Sequence, residues 1–192
     1  MLQKTLMKLV LPTLSAVLIT LAVAAPPVWA DQAQHGSMAP MNAPAHEHAA
    51  AAPFLVHGRT MNLQSFKGQP VMLWQVATWC PSCAVGLKTL AQNRALIDGS
   101  KLKVIVLQDY ENGGYPGVDM EKFTAENAPA LLHDSHFIIG EDTKELYSRY
   151  NPHRYVDVYY LIEPNGHVAL TASAPSMSFD KIKQFIQQGK TK

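Results

Sequence analysis

Two long apolar runs, separated by a helix-like pattern, dominate the middle of the chain. The run VMLWQVATW, Val71 to Trp79, is rich in β-forming residues and predicts a central strand that is buried on both faces. The segment from Pro81 to Ile97 has apolar residues at helical spacing, and Asp98-Gly99 ends it. The second run, Lys101 to Tyr110, predicts another central strand. A strand, a helix and a strand in this order indicate an α/β unit.

Shorter patterns predict the elements on either side of this unit. Phe54 to Phe66 predicts two short strands around His57-Gly58, and Val156 to Ser173 predicts a hairpin with Asn165-Gly166 in its turn. Three further helices and a short edge strand are predicted from DMEKFTAENA, TKELYSRYN, SFDKIKQFIQQ and HFIIGED. The fold class that follows is α/β, with a mixed central sheet flanked by helices and preceded by an N-terminal β-hairpin extension.

The first thirty residues have the pattern of a secretory signal peptide. Two lysines precede the apolar run from Leu9 to Ala25, and small residues stand at −3 and −1 before Asp31. A membrane anchor is the alternative, but the run is short for a span and Pro12 interrupts it. We therefore predict that residues 1–30 are removed, that no stable membrane span remains, and that the protein is periplasmic or secreted.

Residues 31–53 differ in composition from the rest of the chain, and residues 54–192 are predicted to form one domain. Alanine and proline dominate the 31–53 segment, which predicts a flexible linker because so little apolar surface is available to bury. Imidazole and thioether groups are suitable copper ligands, so copper binding by this segment is a hypothesis beside that of a purely compositional linker. Its candidate ligands are His35, Met38, Met41, His46 and His48.

The net charge and the two cysteines narrow the function further. A formal net charge of +1 without basic clusters gives no indication of nucleic-acid binding. The only cysteines, Cys80 and Cys83, are separated by two residues. A disulfide between them would close a very small loop and stabilise the fold weakly, which argues against a purely structural bridge. Redox chemistry and metal binding are the two remaining uses of such a pair.

The position of the pair favours redox chemistry. Cys80 is predicted where the first central strand ends and a helix begins, so its thiolate would lie at the positive end of the helix dipole, which lowers a thiol pKa. Pro81 suits the first helical turn, and Cys83 lies one turn further on. Cys80 is therefore the predicted nucleophile and Cys83 the resolving thiol, with Ser82 between them tuning the reduction potential.

Two sequence motifs resemble those of a known family. The segment SFKGQPVMLWQVATWCPSC and the later LIEPNGHV are similar to thioredoxin-superfamily proteins of the TlpA/ResA-like extracytoplasmic type, over roughly Phe54 to Gln188. The resemblance implies a thioredoxin-like fold, a Cys80–Cys83 disulfide in the oxidised form, protein thiols and disulfides as partners, and no cofactor. It places Trp79, Pro81, Ser82, Val156 and Asp157 around the cysteines.

The chain departs from the family pattern at two positions. The cis-proline that normally faces the cysteines is replaced by Asp157 after Val156, so we expect a trans peptide bond there. A carboxylate at this place would raise the pKa of Cys80 and oppose the helix dipole. The second position is Trp74: in thioredoxins proper, an acid commonly occupies this place on the strand and assists proton transfer.

These departures keep two alternatives open. One is a copper-binding or metallochaperone-like protein of the same fold, with Asp157 as a possible ligand, or with one of His133, His136 and His153 completing a Cys₂His site. The other is a binding module without turnover.

Overall fold

The computed structural model describes residue 49 and residues 51–190. The predicted signal peptide, residues 1–30, lies outside them, as do the five candidate copper ligands from His35 to His48, so both remain predictions. Within the described part of the chain, no helix has the length and apolarity needed to cross a bilayer. Ala52 is fully buried and Pro53 begins the first strand, so folded structure starts slightly before Phe54.

In the described part of the chain, seven strands and five α-helices form an α/β fold in which helices cover a mixed sheet. The strands are β1 (Pro53–Val56), β2 (Arg59–Asn62), β3 (Val71–Val76), β4 (Lys103–Gln108), β5 (Phe137–Asp142), β6 (Val158–Ile162) and β7 (Val168–Ser173). The helices are α1 (Pro81–Gln92), α2 (Arg94–Asp98), α3 (Met120–Asn127), α4 (Lys144–Tyr150) and α5 (Pro175–Lys190). Short 3₁₀ turns span Leu63–Phe66, Tyr110–Gly114 and Pro129–Leu131.

The sheet order is β2-β1-β5-β4-β3-β6-β7. Strands β3, β4 and β5 run parallel, whereas β1, β2, β6 and β7 join them as antiparallel pairs. The predicted N-terminal hairpin is confirmed, with Val56 paired to Arg59 across the His57-Gly58 turn. The prediction that HFIIGED is an edge strand is wrong, because the N-terminal hairpin pairs with the outer side of β5 and places it inside the sheet.

All six residues of β3 are buried, since helices cover both faces of the sheet. One apolar cluster, on the face that carries Trp74, packs against α1, α3 and α5. The second, on the face of Leu73, packs against α4 and the segment from Ala52 to Phe66. The two-sided burial predicted from the continuous apolar run is therefore confirmed.

Two element boundaries differ from the sequence prediction. Strand β3 ends at Val76 rather than Trp79, because the backbone turns where the Cys80 amide donates to the carbonyl of Ala77 at 3.1 Å. The single helix predicted up to Ile97 is divided at Asn93, whose side-chain amide donates to the carbonyl of Thr89 at 2.8 Å. An asparagine that bonds to nearby backbone favours such a break in a helix.

Candidate active site around Cys80 and Cys83

The cysteine pair lies at the C-terminal end of the central strand β3, where α1 begins. Cys80 is the N-cap of α1, Pro81 occupies the first turn, and Cys83 lies one turn further into the helix. The Cys83 amide donates to the Cys80 sulfur at 3.3 Å, and the Ser82 hydroxyl lies 3.1 Å from the same atom. Cys80 is 6% exposed, whereas Cys83 is fully buried. Both thiols are therefore buried, and Cys80 is the one that keeps a small exposed surface.

These contacts make the two thiols different acids. A hydrogen bond from the Cys83 side chain is the main reason that the pKa of Cys80 falls to about 6; burial opposes the shift, while the Ser82 hydroxyl and the Cys83 amide add to it. The negative charge of Asp157 raises the pKa of Cys80, as expected from the sequence, but does not outweigh the hydrogen bonds. The same interaction with Cys80, together with burial, raises the pKa of Cys83 far above its ordinary value.

Both cysteines are free thiols, so the structure shows the reduced form of the pair. The predicted disulfide between Cys80 and Cys83 stays a prediction for the oxidised form.

Asp157 directly precedes β6, and its side chain faces the cysteines. No cis peptide bond occurs in the described residues, which confirms the trans bond expected between Val156 and Asp157. Asp157 adopts φ +68°, in the region that favours glycine. Asp157 is 4% exposed. One of its carboxylate oxygens and the sulfurs of Cys80 and Cys83 all lie within 4.8 Å of one another. The position identified as a departure from the family thus belongs to the site.

Trp74 forms a hydrogen bond with the Asp157 carboxylate. The indole nitrogen donates to Oδ1 at 2.9 Å, whereas Oδ2 has no hydrogen-bond partner among the described residues. Burial raises the pKa of Asp157; the Ser82 hydroxyl, the Trp74 indole and the Ala174 amide oppose that shift. Trp74 can reach this position because Gly86 of α1 lies over the ring, and a Cβ on Gly86 would come within 2.6 Å of Cη2.

Sequence reasoning singled out Trp74 and Asp157 separately and missed their hydrogen bond. The two residues are 83 positions apart, and the register between β3 and β6 brings them together by pairing Trp74 with Tyr159. The available signal was that both departures fall on segments predicted to meet at the cysteines.

Two aromatic residues, Trp79 and Tyr115, pack against each other next to Cys80. Trp79 is 39% exposed, donates its indole N–H to the carbonyl of Asn112 at 2.8 Å, and packs edge-on against Tyr115 with ring centroids 5.1 Å apart. The Asn112 side chain also accepts from the Thr78 amide at 2.8 Å, which fixes the loop after β4 to the end of β3. The exposed large apolar side chains of the described residues are Trp79, Val85, Tyr115, Tyr155 and Met177.

A second buried polar cluster, which sequence reasoning also missed, lies on the other face of the sheet. Gln75 donates to Asp142 at 2.6 Å, and Asp109 follows β4 on the same face. Burial is the main reason that the pKa of each aspartate rises to about 8. The signal in the sequence was that polar residues interrupt or follow the apolar runs of β3 and β4.

The three histidines considered as partners of the cysteines do not join them. The single group of three metal-ligating side chains found within residues 49 and 51–190 is Cys80, Cys83 and Asp157. His136 directly precedes β5 and so lies at the opposite end of the parallel strands from the cysteines, with Nδ1 2.9 Å from the carbonyl of Leu102. The Cys₂His arrangement is therefore wrong for His133, His136 and His153.

The fold and the site define a protein of the thioredoxin-like fold with a Cys-Pro-Ser-Cys pair at the start of α1. Solved structures of this fold match most of the chain. A protein described as the thiol:disulfide interchange protein DsbE of Chlorobium tepidum matches at 19% identity with a TM-score of 0.55, over 76% of this chain and 96% of its own. A thioredoxin-like protein from Aeropyrum pernix matches at 22% identity and a TM-score of 0.51, over 73% and 89% of the two chains.

BsSco, a member of the Sco family of cytochrome c oxidase assembly proteins, matches at 16% identity and a TM-score of 0.56, over 78% of this chain and 96% of its own. No protein-family model matches the chain, and no curated protein matches it by sequence. The predicted thioredoxin-like fold is confirmed.

Proposed function

We propose that the protein is an extracytoplasmic thiol-disulfide oxidoreductase that acts on protein disulfides through Cys80 and Cys83. The observation that carries this proposal is the difference between the two thiols: Cys80 is ionised near neutral pH and keeps 6% of its surface exposed, whereas Cys83 is protonated and fully buried. A low-pKa thiolate beside a resolving thiol is the arrangement that disulfide exchange requires. The names of DsbE and BsSco add support by analogy of fold alone.

The first step is attack by the Cys80 thiolate on one sulfur of a substrate disulfide. A mixed disulfide forms, the substrate S–S bond breaks, and the released substrate thiolate takes a proton from solvent. Negative charge is thereby removed from Cys80, which ends the hydrogen bond that kept the Cys83 thiol protonated.

The second step requires a proton acceptor for Cys83, and the buried Asp157 has a carboxylate oxygen within 4.8 Å of both sulfurs. The Cys83 thiol transfers its proton to this carboxylate, and the resulting thiolate attacks the Cys80 sulfur. The Cys80–Cys83 disulfide forms, the mixed disulfide breaks, and the second substrate sulfur leaves as a thiolate that takes a proton from solvent, while Asp157 returns its proton to solvent. The substrate gains two electrons and the protein loses two; a dithiol protein would restore the reduced pair, and the relative potentials set the direction.

The exposed apolar side chains suit a protein substrate. Trp79 and Tyr115 stand beside Cys80, Tyr155 precedes the Asp157 segment, and Val85 and Met177 lie in the early turns of α1 and α5. All five therefore lie on segments at the end of the sheet where β3 leads into the cysteines. An apolar segment next to the substrate disulfide would cover some of these side chains during exchange.

The test is insulin reduction followed by trapping of the intermediate. Wild type should accelerate reduction, Cys80→Ser should not, and Cys83→Ser should accumulate a mixed disulfide with a disulfide-containing peptide. Cys80→Ser is the matched control because it keeps one thiol in the pair but lacks the reachable one. Equal turnover by wild type and Cys80→Ser would overturn the proposal.

Asp157→Asn examines the proton-transfer step separately. The variant keeps an oxygen for Trp74 but cannot accept a proton at neutral pH, so the mixed disulfide should form normally and resolve more slowly. Unchanged resolution would exclude Asp157 as the base and leave the disulfide chemistry of the cysteines intact.

Copper binding by the N-terminal segment is the second candidate function, and the His/Met pattern of residues 35–48 favours it. Titration with Cu(I) should show lower stoichiometry in a variant without residues 31–48 than in the full chain. Equal stoichiometry would exclude the segment.

A further inference from the structure

We propose that the reduced protein binds one thiophilic divalent cation, of the chemical type of Zn²⁺, through Cys80, Cys83 and Asp157. The site shares its cysteines with the proposed oxidoreductase, but binding requires no turnover.

The geometry already approaches that of a metal site. In tetrahedral zinc sites, Zn–S distances of about 2.3 Å and Zn–O distances of about 2.1 Å place the ligand atoms about 3.6–3.8 Å apart. The two sulfurs and the Asp157 oxygen all lie within 4.8 Å of one another. A contraction of at most about 1.2 Å, which small side-chain rotations can supply, would close three ligands around an ion.

One carboxylate oxygen of Asp157 lacks a hydrogen-bond donor, and a bound cation would take the place of that donor. Its Oδ2 is buried and has no hydrogen-bond partner among the described residues. A buried carboxylate oxygen without a donor is costly unless a proton or a metal ion occupies the place. The Trp74 indole holds Oδ1 at 2.9 Å, as outer partners hold ligating carboxylates in metal sites.

The ligand set selects the kind of ion. Two thiolates and one carboxylate suit Zn²⁺, which accepts both sulfur and oxygen ligands, better than Cu(I), which prefers sulfur alone. Three protein ligands leave a fourth position open for water or a partner's side chain. This site is distinct in both ligands and ion type from the copper hypothesis for residues 35–48.

Metal binding and disulfide formation exclude each other at this site. Binding displaces the Cys83 proton to solvent and uses both sulfurs as thiolates, without electron transfer. Oxidation removes two electrons, joins the sulfurs and leaves Asp157 as the sole ligand. Occupancy should therefore follow the redox state of the pair.

The test uses Co²⁺ as a spectroscopic substitute for Zn²⁺ on the full chain. Thiolate-to-cobalt charge-transfer absorption reports sulfur ligands and ignores ions held by histidine or methionine elsewhere in the chain. Affinity for Zn²⁺ is then measured by competition against a chromophoric chelator. Reduced wild type should bind one ion with this absorption, and the oxidised protein should lose it.

Three variants distinguish the ligands. Cys80→Ser and Cys83→Ser should each lose most of the charge-transfer absorption. Since loss of even an outer partner weakens metal sites about 10–100-fold, Asp157→Asn should bind Zn²⁺ at least about tenfold more weakly. Asp180→Asn, which changes an exposed acid on α5, is the matched control and should bind as wild type. Circular dichroism confirms that each variant is folded.

The outcomes separate this proposal from the proposed function. Absence of thiolate–cobalt absorption in the reduced wild type, with insulin reduction intact, would overturn the metal site and leave the oxidoreductase in place. Unchanged affinity in folded Asp157→Asn would overturn the three-ligand site. Normal metal binding without insulin reduction would support the metal site and overturn the oxidoreductase.

Discussion

The pH dependence of Cys80 reactivity gives the sharpest test of the site. Its pKa of about 6, against 9.0 for an unperturbed thiol, makes it largely ionised at neutral pH. At pH 6 the thiolate population is about 500 times that of an ordinary thiol, but intrinsic nucleophilicity falls about 20-fold over three pKa units. The net expectation is attack on a disulfide about 25 times faster at pH 6 and about ten times slower at pH 9.

The assay is stopped-flow reaction of the reduced protein with a chromogenic pyridyl disulfide, with a cysteine peptide as the reference thiol. Cys80 should follow a titration with its midpoint near pH 6, and the protein and peptide rates should cross between pH 7 and 9. Cys83 should not contribute, because it is fully buried and its pKa is strongly raised. A protein rate that parallels the peptide rate throughout would refute the reasoning.

A matched pair of variants identifies the cause of the low pKa. The largest effect on Cys80 is the hydrogen bond from the Cys83 side chain. Cys83→Ala removes this donor, whereas Cys83→Ser keeps a hydroxyl in its place. The midpoint should move to higher pH in Cys83→Ala and less so in Cys83→Ser. Identical midpoints in the two variants would assign the shift to the helix terminus instead.

Two further predictions concern stability. Gly86→Ala should destabilise the fold by about 1–3 kcal/mol in urea unfolding, because the new Cβ would overlap Trp74; Gly189→Ala, with open space around it, is the control, and equal effects would contradict the packing argument. In the folded protein the pKa of Asp109 is raised to about 8, whereas in the unfolded chain it keeps its ordinary value of 3.8. The protonated side chain therefore contributes stability at low pH, and this contribution is lost as the pH rises from 3.8 to about 8. The stability of Asp109→Asn relative to wild type should therefore grow by about 1.4 kcal/mol per pH unit between pH 4 and 8 in urea titrations, and a difference independent of pH would refute the assignment.

The strands and helices could be predicted where the information is local. The apolar run of β3 and the helical spacing after Pro81 each depend on neighbours within one element. Both elements were confirmed, although β3 ends earlier than predicted and the helix is divided at Asn93. The position of β5 depends on which strand pairs with its outer side, and the short pattern of Phe137–Asp142 contains no information about that partner. Its placement at the edge was therefore wrong.

The same distinction applies to the site. The separation of Cys80 and Cys83 by one helical turn follows directly from their spacing, so their proximity was predictable. The buried Asp109 and Asp142 were not, because each follows or ends a different strand and they share a face only once the sheet is assembled. Polar residues at strand ends are common, and burial alone makes this pair unusual.

Trp74 and Asp157 depend on each other, because the indole N–H of one donates to the buried carboxylate of the other at 2.9 Å. Thioredoxins proper commonly have an acid on the strand, and the family that this chain resembles has a proline before the hairpin. This chain has a hydrogen-bond donor on the strand and an acid before the hairpin. Acids at both positions would bring two buried carboxylates together, which strongly disfavours ionisation of both. A proline at the second position would leave the indole N–H without its acceptor, at a cost of about 1–3 kcal/mol. The buried carboxylate of Asp157 lies within 4.8 Å of both sulfurs, on the segment that precedes β6. Asp157 is therefore the residue shared by the two proposals, as the base in disulfide exchange and as the third ligand of the metal site.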